Sequence, residues 1–158
     1  MDMKAQLVSL HSYLYQNLVH VLIDLSDEQL AYRAPLIDQR PLREVALHAY
    51  RPLLAVACVA CGEEWPPRAP LPTTKEALLD LLQTMQTQID GLIDRLPSDT
   101  LKRTISLPWD AQQNTVDALN QTIGHGLLHV GSIYGIRAFG GFPLPTEEPK
   151  PLRGKGDH

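Results

Sequence analysis

Two histidines stand four residues apart in Thr122-Ile-Gly-His125-Gly-Leu-Leu-His129-Val-Gly-Ser132. On a helix that spacing puts both imidazoles on one face, a turn apart, so that both can reach one metal ion from a single rigid element. Such a site needs a third ligand from another element, and His48 is the candidate. Three neutral ring nitrogens would leave a coordination position open for water or substrate. The alternative is three unrelated histidines, each satisfied in the core. The carboxylates that accompany other metal sites are missing. There is no Glu-x-x-His pair of the di-iron kind, and Gly126, Leu127 and Leu128 fill the gap in which zinc peptidases carry a general base. The nearest carboxylate is Glu44, one helical turn before His48. Gln121 and Ser132 share the face of His125 and could support its imidazole. Glu44, Gln121 and Ser132 are therefore the candidate catalytic or supporting groups, and no catalytic role is assigned among them.

The elements that must position these residues follow from periodicity. A first helix is expected from about Asp2 to Leu25, with Leu7, Leu14, Leu18, Val21 and Leu25 as its apolar stripe. His11 falls on that stripe, either as a core histidine bonded to a carbonyl or as a group looking into a site; His20 falls off it and is expected in solvent. Ser26 to Leu30 reads as a short capped turn, and the run to Arg40 as loop. A second helix runs from Pro41 to about Cys61 and stops at Gly62. Glu44, His48, Pro52 and Ala55 share one of its faces. Pro52 cannot donate to the His48 carbonyl, which predicts a kink there. From Leu53 to Cys61 the helix is apolar all round, which predicts burial on several sides or a subunit contact.

Residues 63–72 carry four prolines and read as a rigid link. Thr73-Thr-Lys-Glu76 reads as a capping box opening a third helix, whose inward stripe is Leu78, Leu82, Met85, Ile89, Leu92 and Leu96. A longer connection, residues 98–114, contains Trp109 and a short alternation around Ile105 that could be extended. The fourth helix starts near Asn114 or Thr115 and ends at Gly140-Gly141. The expectation is an all-α four-helix bundle over residues 1–141, with connections too long for a plain up-and-down series, and a proline-rich polar tail, 142–158, that is poorly ordered.

Composition excludes several classes. The net charge is −4, and no Lys/Arg cluster precedes the last dozen residues, so there is no electrostatic footprint for nucleic acid. No apolar stretch is long enough to span a bilayer, and no signal peptide is evident, which makes a cytoplasmic location the expectation. Cys58 and Cys61 form a Cys-x-x-Cys without the strand context of a redox motif, and read as two core thiols. Trp65 and Trp109 could wall a substrate cleft or cover the ends of the helices. Gly124, Gly131, Gly135 and Ala138 share a stripe away from the histidines. Each glycine costs roughly 1 kcal/mol of helix propensity, so close approach of another helix is expected, within the chain or across a dimer. With the apolar Leu53 to Cys61 segment, this favours a homodimer.

Leu-Ser-Asp-Glu-Gln-Leu early in the chain, Val-Ala-Leu-His48-Ala, His125-x3-His129, and Tyr134, Arg137 and Gly140-Gly-Phe-Pro143 at the close together resemble the DinB-like (YfiT-type) superfamily. The resemblance covers residues from about 5 to 145. It implies a four-helix bundle of unusual connection order, often dimeric, with one divalent ion (zinc, nickel or iron) held at positions that match His48, His125 and His129. It also implies a metal-dependent transferase or isomerase that uses a low-molecular-weight thiol on a small electrophile. The alternative is a metal-stabilised bundle that binds a small ligand without turnover. Two departures thin the polar surroundings: Gly126 stands where relatives often carry a polar or acidic residue, and Val130-Gly131-Ser132 replaces their common Arg-Gly-Gln.

Overall fold

The computed structural model describes residues 2–145, which are all-α apart from one short hairpin. Helix α1 spans Met3–His20, with Asp2 as its cap. It ends five residues before the expected Leu25, because the backbone tightens: Leu22 N–H donates to Val19 O and Leu25 N–H to Leu22 O, three residues back. Val21, Leu22 and Leu25 remain fully buried, so the apolar stripe persists where the regular helix does not. The single turn α2, Asp27–Leu30, has the reciprocal capping box of Ser26 and Gln29.

Helix α3, Leu42–Ala60, follows Pro41 and continues through Pro52. Its end is a Schellman closure: Gly62, at φ +70°, donates to Val59 O, and Glu63 donates to Cys58 O. The all-round apolar segment is covered by the chain itself, with Leu53 to Cys58 buried, so that part of it needs no second subunit. Helix α4, Lys75–Arg95, starts from Thr74, whose hydroxyl accepts from Ala77 N–H. The expected Thr73–Glu76 box does not form. Starting one residue later brings Lys75 N–H onto the Asp27 carboxylate at 2.7 Å, tying the beginnings of α2 and α4 together. Strands β1 (Thr104–Ser106) and β2 (Gln112–Asn114) pair antiparallel, and Asp110 takes a left-handed conformation near the hairpin's tip, next to Trp109. Helix α5, Thr115–Phe139, is capped by Asn114.

Around the core, α3 packs on α5 and α4, and α1 packs on the same two helices. The most extensive contact, α3 with α5, joins helices that are not consecutive in sequence, which agrees with connections too long for a simple hairpin series. At the far end of α5, the buried guanidinium of Arg137 makes two 2.7 Å bonds to the Asp24 carboxylate and also donates to Val21 O and Phe142 O. Phe142 meets Tyr32 edge-on, and Leu144 packs against the core. The packed unit thus reaches past Gly141; the tail expected to be poorly ordered lies, from residue 146 on, outside the described residues. Among the described residues no helix is long and apolar enough to cross a membrane.

Candidate metal centre

The most extensive helix pairing, α3 against α5, carries the three histidines. Gly126 sits between the two on α5. A Cβ there would lie 2.7 Å from Ala49 O and 2.7 Å from Leu14 Cδ2, so only glycine lets the α5 backbone come this close to the turn that holds His48. The polar residue missing at this position is replaced by a close helix contact. The expected stripe behaves differently: a Cβ at Gly124 or Gly131 would meet nothing within 4 Å, and one at Gly135 would lie 3.3 Å from Ile37 Cδ1.

The three imidazoles stand mutually edge-on, with ring centroids 5.0 Å apart for His48 and His125, 4.7 Å for His48 and His129, and 4.5 Å for His125 and His129. One nitrogen from each lies within 4.8 Å of the others. The Nε2 atoms of His125 and His129 are 3.1 Å apart. Two ligands at zinc–nitrogen distances, spread by a tetrahedral angle, stand about 3.3 Å apart, so the pair fits one ion. Burial, the Arg40 guanidinium and the two neighbouring imidazoles push His48 down to about 4, with Asp38 opposing. Burial lowers His125 and His129 as well, Arg40 adding to both and His125 adding to His129. Neutral imidazole is the form that ligates, so the cluster is ready for a cation without first losing protons.

The support for these rings is thin. Nδ1 of His125 and Nδ1 of His129 are both buried without a hydrogen-bond partner. Gln121 is exposed, and the Ser132 hydroxyl donates to Leu128 O at 3.3 Å rather than to an imidazole. The carboxylate or carbonyl that usually orients a ligating histidine is absent from these two positions among the described residues. Glu44 is half-buried and lines the same cleft as His48.

That cleft, about 720 Å³, lies between α3, α4 and the proline-rich link. Pro52 lines it beside His48, and both Trp65 and Trp109 wall it. Arg40, Arg51 and Arg68 also line it. Arg51 is three residues after His48, a spacing that could have revealed it; nothing in the sequence marks Arg68, whose position depends on how the link folds back.

The other singled-out residues lie elsewhere. His11 is a core histidine, held not by a carbonyl but between Asp90 Oδ1, at 2.8 Å from its Nδ1, and the Tyr50 hydroxyl at its Nε2. Gln86 donates to the second Asp90 oxygen at 2.8 Å. His20, half-buried rather than solvated, sits at the end of α1 near Asp24. Cys58 and Cys61 are free; Cys61 Sγ donates to Leu92 O, and burial pushes both thiols up, away from the reactive thiolate. Compared with protein-family models, curated proteins and solved structures, the chain matches none.

Proposed function

We propose that the chain is a DinB-like four-helix bundle in which His48, His125 and His129 hold one divalent ion (zinc, nickel or iron) as a centre for thiol-dependent transfer to, or isomerisation of, a small electrophile. The observation that carries this reading is the convergence of three imidazoles from two helices, lowered by burial into their ligating form. A bound divalent ion would favour the thiolate of a bound thiol and stabilise developing negative charge. The chain's own residues do the rest. The cleft beside His48 receives the small molecules, Trp65 and Trp109 wall them from solvent, and Glu44, the carboxylate in the lining, takes up a proton. The exposed apolar side of α5 supports a homodimer as the working form.

The test uses protein purified without a histidine tag, stripped of metal and titrated with zinc and with nickel. One ion per chain is expected, with Tm rising as occupancy rises. His125→Ala should bind far more weakly, and His20→Ala should bind as the parent does. The reading is wrong if His125→Ala keeps the parent's affinity or if His20→Ala loses the ion. A second reading, a metal-stabilised binding bundle without turnover, is favoured by the two unsupported Nδ1 atoms. A screen of thiols paired with electrophiles separates the two, since only the first reading predicts turnover, to a thiol adduct or to an isomer of the electrophile.

A further inference from the structure

The cleft beside His48 is more specific than a general small-molecule pocket. Three arginines line it against one carboxylate, in a chain whose net charge is −4. Arg40 is partly compensated by Asp38 at 3.4 Å. Arg51 and Arg68 make no ion pair among the described residues, whose pairs are those of His11, Arg40, Arg95, Arg103 and Arg137. They approach from different elements, Arg51 from α3 and Arg68 from the link between α3 and α4. Most of the rest of the wall is apolar, with Trp65, Trp109 and Pro52 as its flat groups and Leu81 and Met85 beside them; Thr84 and Gln88 are its uncharged polar members.

We infer that this cleft binds an organic carboxylate with a flat apolar body, its carboxylate between Arg51 and Arg68 and its body against Trp65 and Trp109, next to His48. Guanidinium is the side chain whose planar fork matches a carboxylate with two parallel hydrogen bonds. Two guanidinium groups without ion-pair partners held near each other repel; burial and the Arg68 charge pull Arg51 down from its ordinary value, with the Glu44 carboxylate opposing in part. An anion between them relieves that repulsion. Arg68 sits in a link stiffened by Pro66, Pro67, Pro70 and Pro72, so the segment that carries it has less freedom to lose when a ligand binds. The indole and proline surfaces favour a flat hydrocarbon body over a hydroxylated one. This names the substrate class of the proposed centre and rests on that reading for its reaction, but the anion contact itself requires no ion.

The chain has two tryptophans, and both line the cleft, so tryptophan fluorescence, excited apart from the tyrosines, reports on this place. The probes are phenylacetate, its neutral analogue phenylacetamide, and inorganic phosphate, titrated into metal-free full-length protein. Phenylacetate should perturb the fluorescence and bind roughly tenfold or more tighter than phenylacetamide, the share expected of a charge-assisted pair. Arg51→Gln and Arg68→Gln should each remove most of that preference, and Arg51→Lys should restore part of it. Equal binding of acid and amide, or an undiminished preference in both Gln variants, overturns the proposal. Phosphate binding as tightly as phenylacetate overturns the apolar-body part. The same titration on His125→Ala separates this idea from the metal centre, because His125 does not line the cleft. Retained phenylacetate binding there supports the arginine anchor even if no metal ever binds. Binding that appears only with zinc in the parent and vanishes in His125→Ala means that the ion holds the carboxylate, and the arginine anchor is wrong.

Discussion

At the scale of single residues, protonation links the histidine cluster to stability. His48, His125 and His129 are lowered in the fold, His48 to about 4, while an unfolded chain would protonate them near the ordinary 6.5. The unfolded state therefore binds more protons between those values, and the metal-free protein should lose stability as pH falls from about 6.5 toward about 4. Metal affinity follows the folded values: its loss should begin below the ordinary 6.5 rather than at it, with His48 the ligand that resists protonation down to about 4. Calorimetric zinc titrations and melting curves across that range check both, and an affinity that collapses near 6.5 would contradict the desolvated geometry. The chain from half-buried Asp90 through buried His11 to buried Tyr50 makes a second prediction. Tyr50→Phe leaves His11 Nε2 without its partner and should cost about 1–3 kcal/mol of unfolding free energy. His11→Leu strands the Tyr50 hydroxyl and should cost a similar amount. The double variant should cost less than the sum, as denaturant melts in a double-mutant cycle would reveal.

At the scale of elements, the centre depends on how closely α5 approaches α3. Gly126→Ala places a methyl against Ala49 O, a backbone atom that cannot turn aside, and against Leu14, which can shift only within a packed core. Overpacking of this kind costs about 1–3 kcal/mol, and here it pushes apart the two helices that carry the ligands. The variant should melt earlier and bind zinc more weakly, although all three histidines are intact. Gly124→Ala, on the open side of the same helix, should do neither and should gain helix propensity. Equal effects from the two substitutions would show that the 126 position is not the point of contact.

For the whole molecule, α5 holds the key to association. Between Asp117 and Arg137 it carries no Asp, Glu, Lys or Arg, and it leaves Leu128 75% exposed. Gly124 and Gly131 have nothing within 4 Å on this side, so a second copy could lie close along it. A dimer at micromolar concentration by light scattering is the expected outcome, and Leu128→Glu should yield monomers that still bind one ion per chain. A parent protein that is monomeric at that concentration contradicts the homodimer. The Arg137 ties close the other end of the molecule. Arg137→Met removes the partner of Asp24 and frees Val21 O and Phe142 O, and should cost roughly 3 kcal/mol in denaturant melts, without touching the histidines.

What the sequence determined by itself was local. The stripe of α4, the start of α5 near Asn114, the glycine closure of α3 and the shared face of His125 and His129 each depend on residues within a few positions of one another, and helical period makes such relations legible. His48 could be nominated, because it lies on the same face as Glu44 and Pro52, but its meeting with the pair depends on a contact between Gly126 and Ala49 that no periodicity records. The same holds for His11, whose carboxylate and phenol partners come from two other helices, and for Trp65 and Arg68, which reach the cleft only because the link folds back over α3. Within the chain, the close helix approach falls at Gly126 rather than along the stripe of Gly124, Gly131 and Gly135, on the side that packing rather than composition selected. Spacing along the chain decides which side chains share a face; only the tertiary packing of non-consecutive helices decides which faces meet, because that depends on shape complementarity among residues far apart in sequence.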